Sequence, residues 1–135
     1  MINIGVIGCG YWGPNLIRNF SQIGECRAVR CADLREDLLR HMKEIYPNIK
    51  TTKDYADIIK DKNIHAVAIA TPVSRHFEQA KEALLANKHV LIEKPMTDSS
   101  ESAEKLIEIA EGSNKVLMVD HTFEYSPAVN KIKEI

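Results

Sequence analysis

Long apolar runs are missing from this chain. The longest are a few residues, whereas a bilayer-spanning helix needs about 20, so no membrane span is expected. An excess of one charge is missing too: 18 Lys and Arg stand against 19 Asp and Glu, a net charge of −1, with no basic cluster. Nucleic acid and anionic membrane surfaces are therefore not expected partners. Cysteine is scarce and odd in number, with only Cys9, Cys26 and Cys31, and these lack metal-site spacing. They read as reduced, small, mostly buried residues of a cytosolic protein, and no metal is expected. Cys9 lies inside a glycine-rich loop, where its small size is reason enough for it and a reactive thiol is the other reading. The N-terminus enters an apolar stretch at once, without the basic segment and cleavage site of a secretory signal. Internal repeats, low-complexity tracts and long linkers are also absent. What remains is 135 residues, 44% hydrophobic and 27% charged, the composition of about one globular domain with a real core.

The chain is organised around Val6-Ile7-Gly8-Cys9-Gly10-Tyr11-Trp12-Gly13-Pro14. Ile2 to Ile7 reads as a buried strand, and Leu16, Ile17, Phe20 and Ile23 recur at helical spacing. Between them sits G-x-G-x-x-G. Gly8 allows a tight turn out of the strand, Gly10 lets a pyrophosphate approach the backbone, and Gly13 lets the helix pack close to the sheet. The helix N-terminus offers unpaired N–H groups to phosphates, and Pro14 suits its first turn. Asp33 follows the next apolar run, Ala28 to Ala32, and is placed to accept hydrogen bonds from a ribose. A carboxylate there repels a 2′-phosphate, which favours NAD over NADP. Arg35 would soften that preference by pairing with such a phosphate, or it pairs with Asp37 or Glu36 instead. Tyr11, Trp12, Leu34 and Arg35 join the glycines and Asp33 as candidate cofactor contacts. A glycine-rich turn with an unrelated aspartate is the bland alternative.

Strands and helices alternate along the rest. Leu34, Leu38, Leu39, Met42 and Ile45 form a helical stripe ending near Pro47, and Ile49 to Thr51 a short third strand. Thr52 or Asp54 caps a brief helix carrying Tyr55, Ile58 and Ile59. His65 to Ala70 is apolar on both faces, as a central parallel strand is, and Thr71-Pro72 breaks it. A helix with Phe77, Ala80, Ala83 and Leu84 leads to a fifth strand, His89 to Ile92. Asp98 with Glu101 reads as a capping box, and Gly112 as the stop of the helix that follows. Val116 to Val119 is the sixth strand, and Ser126-Pro127 opens a last helix with Val129, Ile132 and Ile135 on one side. This pattern implies an α/β doubly wound parallel sheet of order 3-2-1-4-5-6, with ligand across the carboxyl ends of the strands. Asp33, Thr71, Glu93, Lys94 and His121 all fall at those ends.

The residues Gly5 to Gly13, Ala70-Thr71-Pro72 with His76, His89-Val90-Leu91-Ile92-Glu93-Lys94-Pro95, and Val119-Asp120-His121 through Pro127 resemble the N-terminal domain of the glucose–fructose oxidoreductase / inositol dehydrogenase family. The Glu-Lys-Pro motif is the most specific part. The resemblance implies a Rossmann-type domain at residues 1–125 and, at 126–135, the start of a helix leading to a C-terminal substrate domain absent here. It implies an NAD(P)-dependent oxidoreductase of sugars, polyols or nucleotide-linked sugars, oligomeric at full length. Lys94 would lie beside nicotinamide and substrate as the catalytic residue, aimed by a cis bond to Pro95. Glu93 would position the nicotinamide end, Thr71, Pro72 and His76 would line the cofactor channel, and His121 the nicotinamide end of the cleft. Asn87 and Asp120 stand where glycine is common, and Glu124-Tyr125 where arginine often is. Lacking the substrate domain, the chain is expected to bind NAD with little turnover. Other readings are a stand-alone NAD(P)-sensing module, or the first domain of a biliverdin or diol reductase.

Overall fold

The period of the apolar residues decides the architecture. A computed structural model describes residues 1–135. Its elements run β1 (Ile2–Ile7), α1 (Gly13–Gln22), β2 (Cys26–Ala32), α2 (Glu36–Ile45), β3 (Lys50–Thr52) and α3 (Ala56–Lys60). They continue as β4 (Ala66–Ile69), α4 (Val73–Leu85), β5 (His89–Ile92), α5 (Ser100–Gly112), β6 (Leu117–Val119), a 3-10 turn (Thr122–Tyr125) and α6 (Pro127–Glu134). The six strands pair in parallel in the order β3-β2-β1-β4-β5-β6, the order expected of a Rossmann fold.

Alternate residues of the strands serve opposite faces. Val67 and Ile69 join Ile58, Ala80, Ala83, Leu84 and Leu106 under α3, α4 and α5. Val6 and Ala68 join Leu16, Ile17, Leu39 and Met42 under α1 and α2. Ile17, Met42, Ile58 and Leu84 are sealed from solvent, each burial stabilising by about 1.5–3 kcal/mol. β1 carries an irregularity between Ile4 and Gly5 in its pairing with β2, and Ile58 of α3 lies where a Gly5 side chain would go.

Register matters most for function. Thr52, Ala32, Ile7, Ile69, Ile92 and Val119 lie side by side across the six strands. The next residues, Asp33, Gly8, Ala70, Glu93 and Asp120, therefore leave the sheet as a row along one edge.

Three helix ends are instructive. Asn87 takes a left-handed φ of 65° after α4, as expected of the residue replacing glycine there. α5 departs from expectation at both ends. Its N-cap is Ser99, whose hydroxyl accepts the Ser102 N–H at 3.2 Å, while Glu101 turns to Lys105 at 2.7 Å instead of completing a capping box with Asp98. Gly112 is the last helical residue, and the left-handed turn falls at Asn114, with φ 52°. Its short amide side chain tolerates that conformation, and the Lys115 N–H then reaches the Ala110 carbonyl at 2.9 Å. No helix is long and apolar enough to cross a membrane.

Candidate functional site

The site begins where β1 ends. Gly8 has φ 96°, and a Cβ there would lie 2.6 Å from the Ala70 carbonyl oxygen. A Cβ on Gly13 would run into the Gly8 carbonyl, so α1 starts as close to the turn as backbone allows. Gly10 meets nothing and is exposed, which leaves its backbone open to approach. Asp33 leaves β2 beside this turn. Its Oδ2 accepts the Cys9 N–H at 2.7 Å and its Oδ1 the Arg35 N–H at 2.9 Å. Two amides thus aim the carboxylate, and each oxygen keeps a lone pair free for a ligand.

A cleft of about 550 Å³ opens over this edge. Of the residues named from sequence, Gly8, Gly10, Asp33, Leu34, Arg35, Thr71 and Pro72 line it together. The guanidinium of Arg35 is engaged by Asp37, at 2.6 and 3.3 Å, rather than free. Lys53, on the cleft wall, pairs with Glu36 at 2.7 Å. Tyr11 and Trp12 stand outside that lining, exposed and in edge-to-face contact. Cys9 is buried, and hydrogen bonding with Cys31, burial and the nearby Asp33 charge push its thiol well above the ordinary cysteine range. That is a packing residue's environment, not a nucleophile's.

The other end lies at β5 and β6. Lys94 is exposed, and its bond to Pro95 is cis. Glu93 is buried, and its Oε2 accepts the Lys94 N–H at 3.3 Å. Burial, and then the Asp120 carboxylate beside it, push Glu93 above the usual carboxylate range. His76 is sealed within the fold, with Nε2 2.7 Å from the Thr71 carbonyl oxygen and Nδ1 2.9 Å from that of Pro95. It ties the turn after β4 to the loop carrying Lys94. His121 is exposed at the start of the 3-10 turn.

The sequence model of the GFO/IDH/MocA oxidoreductase family, NAD-binding Rossmann fold, matches residues 2–121. This chain belongs to that family. The myo-inositol 2-dehydrogenase of Thermotoga maritima is 31% identical over 133 residues, 98% of this chain and 40% of that protein. An NAD-binding protein from Listeria innocua superposes with a TM-score of 0.91 at 28% identity, covering 98% of this chain and 39% of its own. A 3-ketoreductase from Actinomadura kijaniata, solved with NADP and TDP-benzene, gives a TM-score of 0.90 at 26% identity, covering 98% and 41%. The chain thus spans about 40% of the length of these relatives.

The oxidoreductase domain presents the features a dinucleotide needs: a bare glycine turn at a helix start and an aimed carboxylate one strand away. Two of its polar residues were not singled out from sequence. Sequence marks Asp120 only as a departure from glycine; its partnership with Glu93 needs the β5–β6 register. Gln79 had a visible signal: it interrupts the apolar stripe of α4, yet is buried and lines the cleft.

Proposed function

We propose that this oxidoreductase domain holds a nicotinamide dinucleotide across the carboxyl ends of β2, β1, β4 and β5. Within a longer protein it would serve hydride exchange with a hydroxyl or ketone of a sugar, polyol or nucleotide-linked sugar. Residues 1–125 form the dinucleotide-binding unit, and 126–135 begin the helix leading to a substrate domain. The Asp33 carboxylate, aimed by the Cys9 and Arg35 amides beside the glycine turn, is the observation that carries this reading. It would accept the ribose hydroxyls. Gly8, Gly10 and Gly13 would leave room for the diphosphate, with Tyr11 and Trp12 flanking it, and Leu34 and Arg35 would border the adenosine. Thr71 and Pro72 would line the channel.

The bound cofactor would supply the hydride-exchanging ring. Lys94 would meet it as the catalytic residue, hydrogen-bonding the substrate hydroxyl and sharing in its proton transfer. Glu93 and His121 would border the same end, and His76 would hold the channel wall to the Lys94 loop. The inositol dehydrogenase and the ketoreductase among the relatives support the substrate class. NAD is the preferred cofactor, because Asp33 repels a 2′-phosphate and Arg35 is already engaged by Asp37.

Calorimetric titration of the chain with NAD and NADP at one ionic strength tests this. NAD should bind more tightly; tighter NADP binding overturns the preference, and binding of neither overturns the reading. With NAD and a polyol panel the isolated chain should turn over poorly. Rates in the ordinary enzymatic range of roughly 1–10³ s⁻¹ would contradict the need for a second domain.

A further inference from the structure

The cleft contains one polar side chain that the fold buries and leaves half-bonded. Gln79 sits in the second turn of α4 among His76, Ala80, Ala83 and Leu84, all buried, and is itself only 6% exposed. The Thr71 hydroxyl donates to its Oε1 at 2.6 Å. That bond occupies Oε1 and leaves Nε2 as the free end of the amide. Nε2 makes no hydrogen bond within the chain, yet no polar side-chain atom is sealed away without a partner. The N–H₂ group therefore opens into the cleft that Gln79 lines.

The surroundings say what it would meet. Ile7, Ala32, Leu38, Tyr55 and Ala70 give the cleft apolar walls, suited to a flat, uncharged ring. Glu78, the chain neighbour of Gln79, also lines it and disfavours an anion beside the amide. Arg35 and Lys53 are already paired with Asp37 and Glu36, so Arg75 is the only lining cation without a carboxylate partner. A neutral donor in such a recess matches an acceptor nitrogen on an aromatic base.

We infer that Gln79 reads the purine of the dinucleotide, donating from Nε2 to a ring nitrogen, and that Thr71 is the positioning residue that orients the amide. The inference rests on the dinucleotide-binding reading above and adds to it a base-contacting residue. A buried polar group that must pair with the base also selects against ligands lacking the acceptor.

The test uses the ¹⁵N-labelled chain, with the Gln79 side-chain amide signals identified by their loss in Gln79→Met. NAD, AMP and inorganic pyrophosphate are titrated separately. NAD and AMP should shift these signals and pyrophosphate should not. Gln79→Met should weaken NAD and AMP roughly three- to tenfold, the range expected for one neutral hydrogen bond, and leave pyrophosphate binding unchanged. Signals that follow pyrophosphate as strongly as AMP overturn the inference. So does NAD binding that neither moves them nor weakens in Gln79→Met. If the wild-type chain binds no NAD, it is the dinucleotide reading itself that fails. Should Gln79→Met not fold, the wild-type shifts, assigned by standard side-chain correlations, still decide.

Discussion

Replacing Asp33 by alanine should loosen the glycine turn before any cofactor is added. The carboxylate accepts two backbone N–H groups, from Cys9 at 2.7 Å and Arg35 at 2.9 Å. Their fates differ once it is gone. Arg35 is exposed, so water replaces the lost acceptor; Cys9 is 1% exposed, so its N–H is stranded. A buried donor without a partner costs about 1–3 kcal/mol, so about 2 kcal/mol is expected. For a domain of this size that lowers the melting midpoint by roughly 6–10 °C. Asn is no remedy, because its NH₂ would face one of the two N–H donors. Cofactor binding should suffer separately: losing a charge-assisted bond to the ribose weakens NAD roughly 10- to 100-fold. Urea and thermal unfolding without cofactor measure the first effect, and calorimetric titration with NAD, where the variant is fully folded, measures the second. An unchanged cofactor-free midpoint would show that the two amide bonds carry no weight in the turn. Unchanged NAD affinity would remove Asp33 from the site.

Three other outcomes can be checked in the same way. Gly8→Ala combines a left-handed φ of 96° with a Cβ 2.6 Å from the Ala70 carbonyl oxygen, and should cost about 3 kcal/mol in urea unfolding; a loss within experimental error would contradict the geometry. Burial and Asp120 raise the Glu93 pKa, so the native chain holds that proton to higher pH than the unfolded chain. Stability should therefore fall as pH climbs from the ordinary glutamate range through the raised one, and Glu93→Gln should remove that slope; equal slopes in both proteins would refute the assignment. Mass-spectrometric mapping of alkylation should find Cys26 modified first, since Cys9 and Cys31 are buried and the Cys9 thiol is held protonated. First modification at Cys9 would reverse that picture.

Sequence alone was enough for the architecture and for the grouping of Gly8, Gly10 and Asp33 at one edge of the sheet. The two-residue and 3.6-residue periods, the glycine spacing from Gly8 to Gly13 and the distance on to Asp33 are local properties of a chain. They specify a strand, a turn, a helix and a second strand without reference to anything distant. Tertiary structure decided the rest, because the remaining partnerships join residues that only the parallel register brings together. Asp33 bonds to Cys9, His76 to Pro95, and Glu93 faces Asp120. None of these pairs is signalled by spacing along the chain. Each depends on which strand lies beside which and where their ends align, and that alignment is set by burial over both faces of the whole sheet.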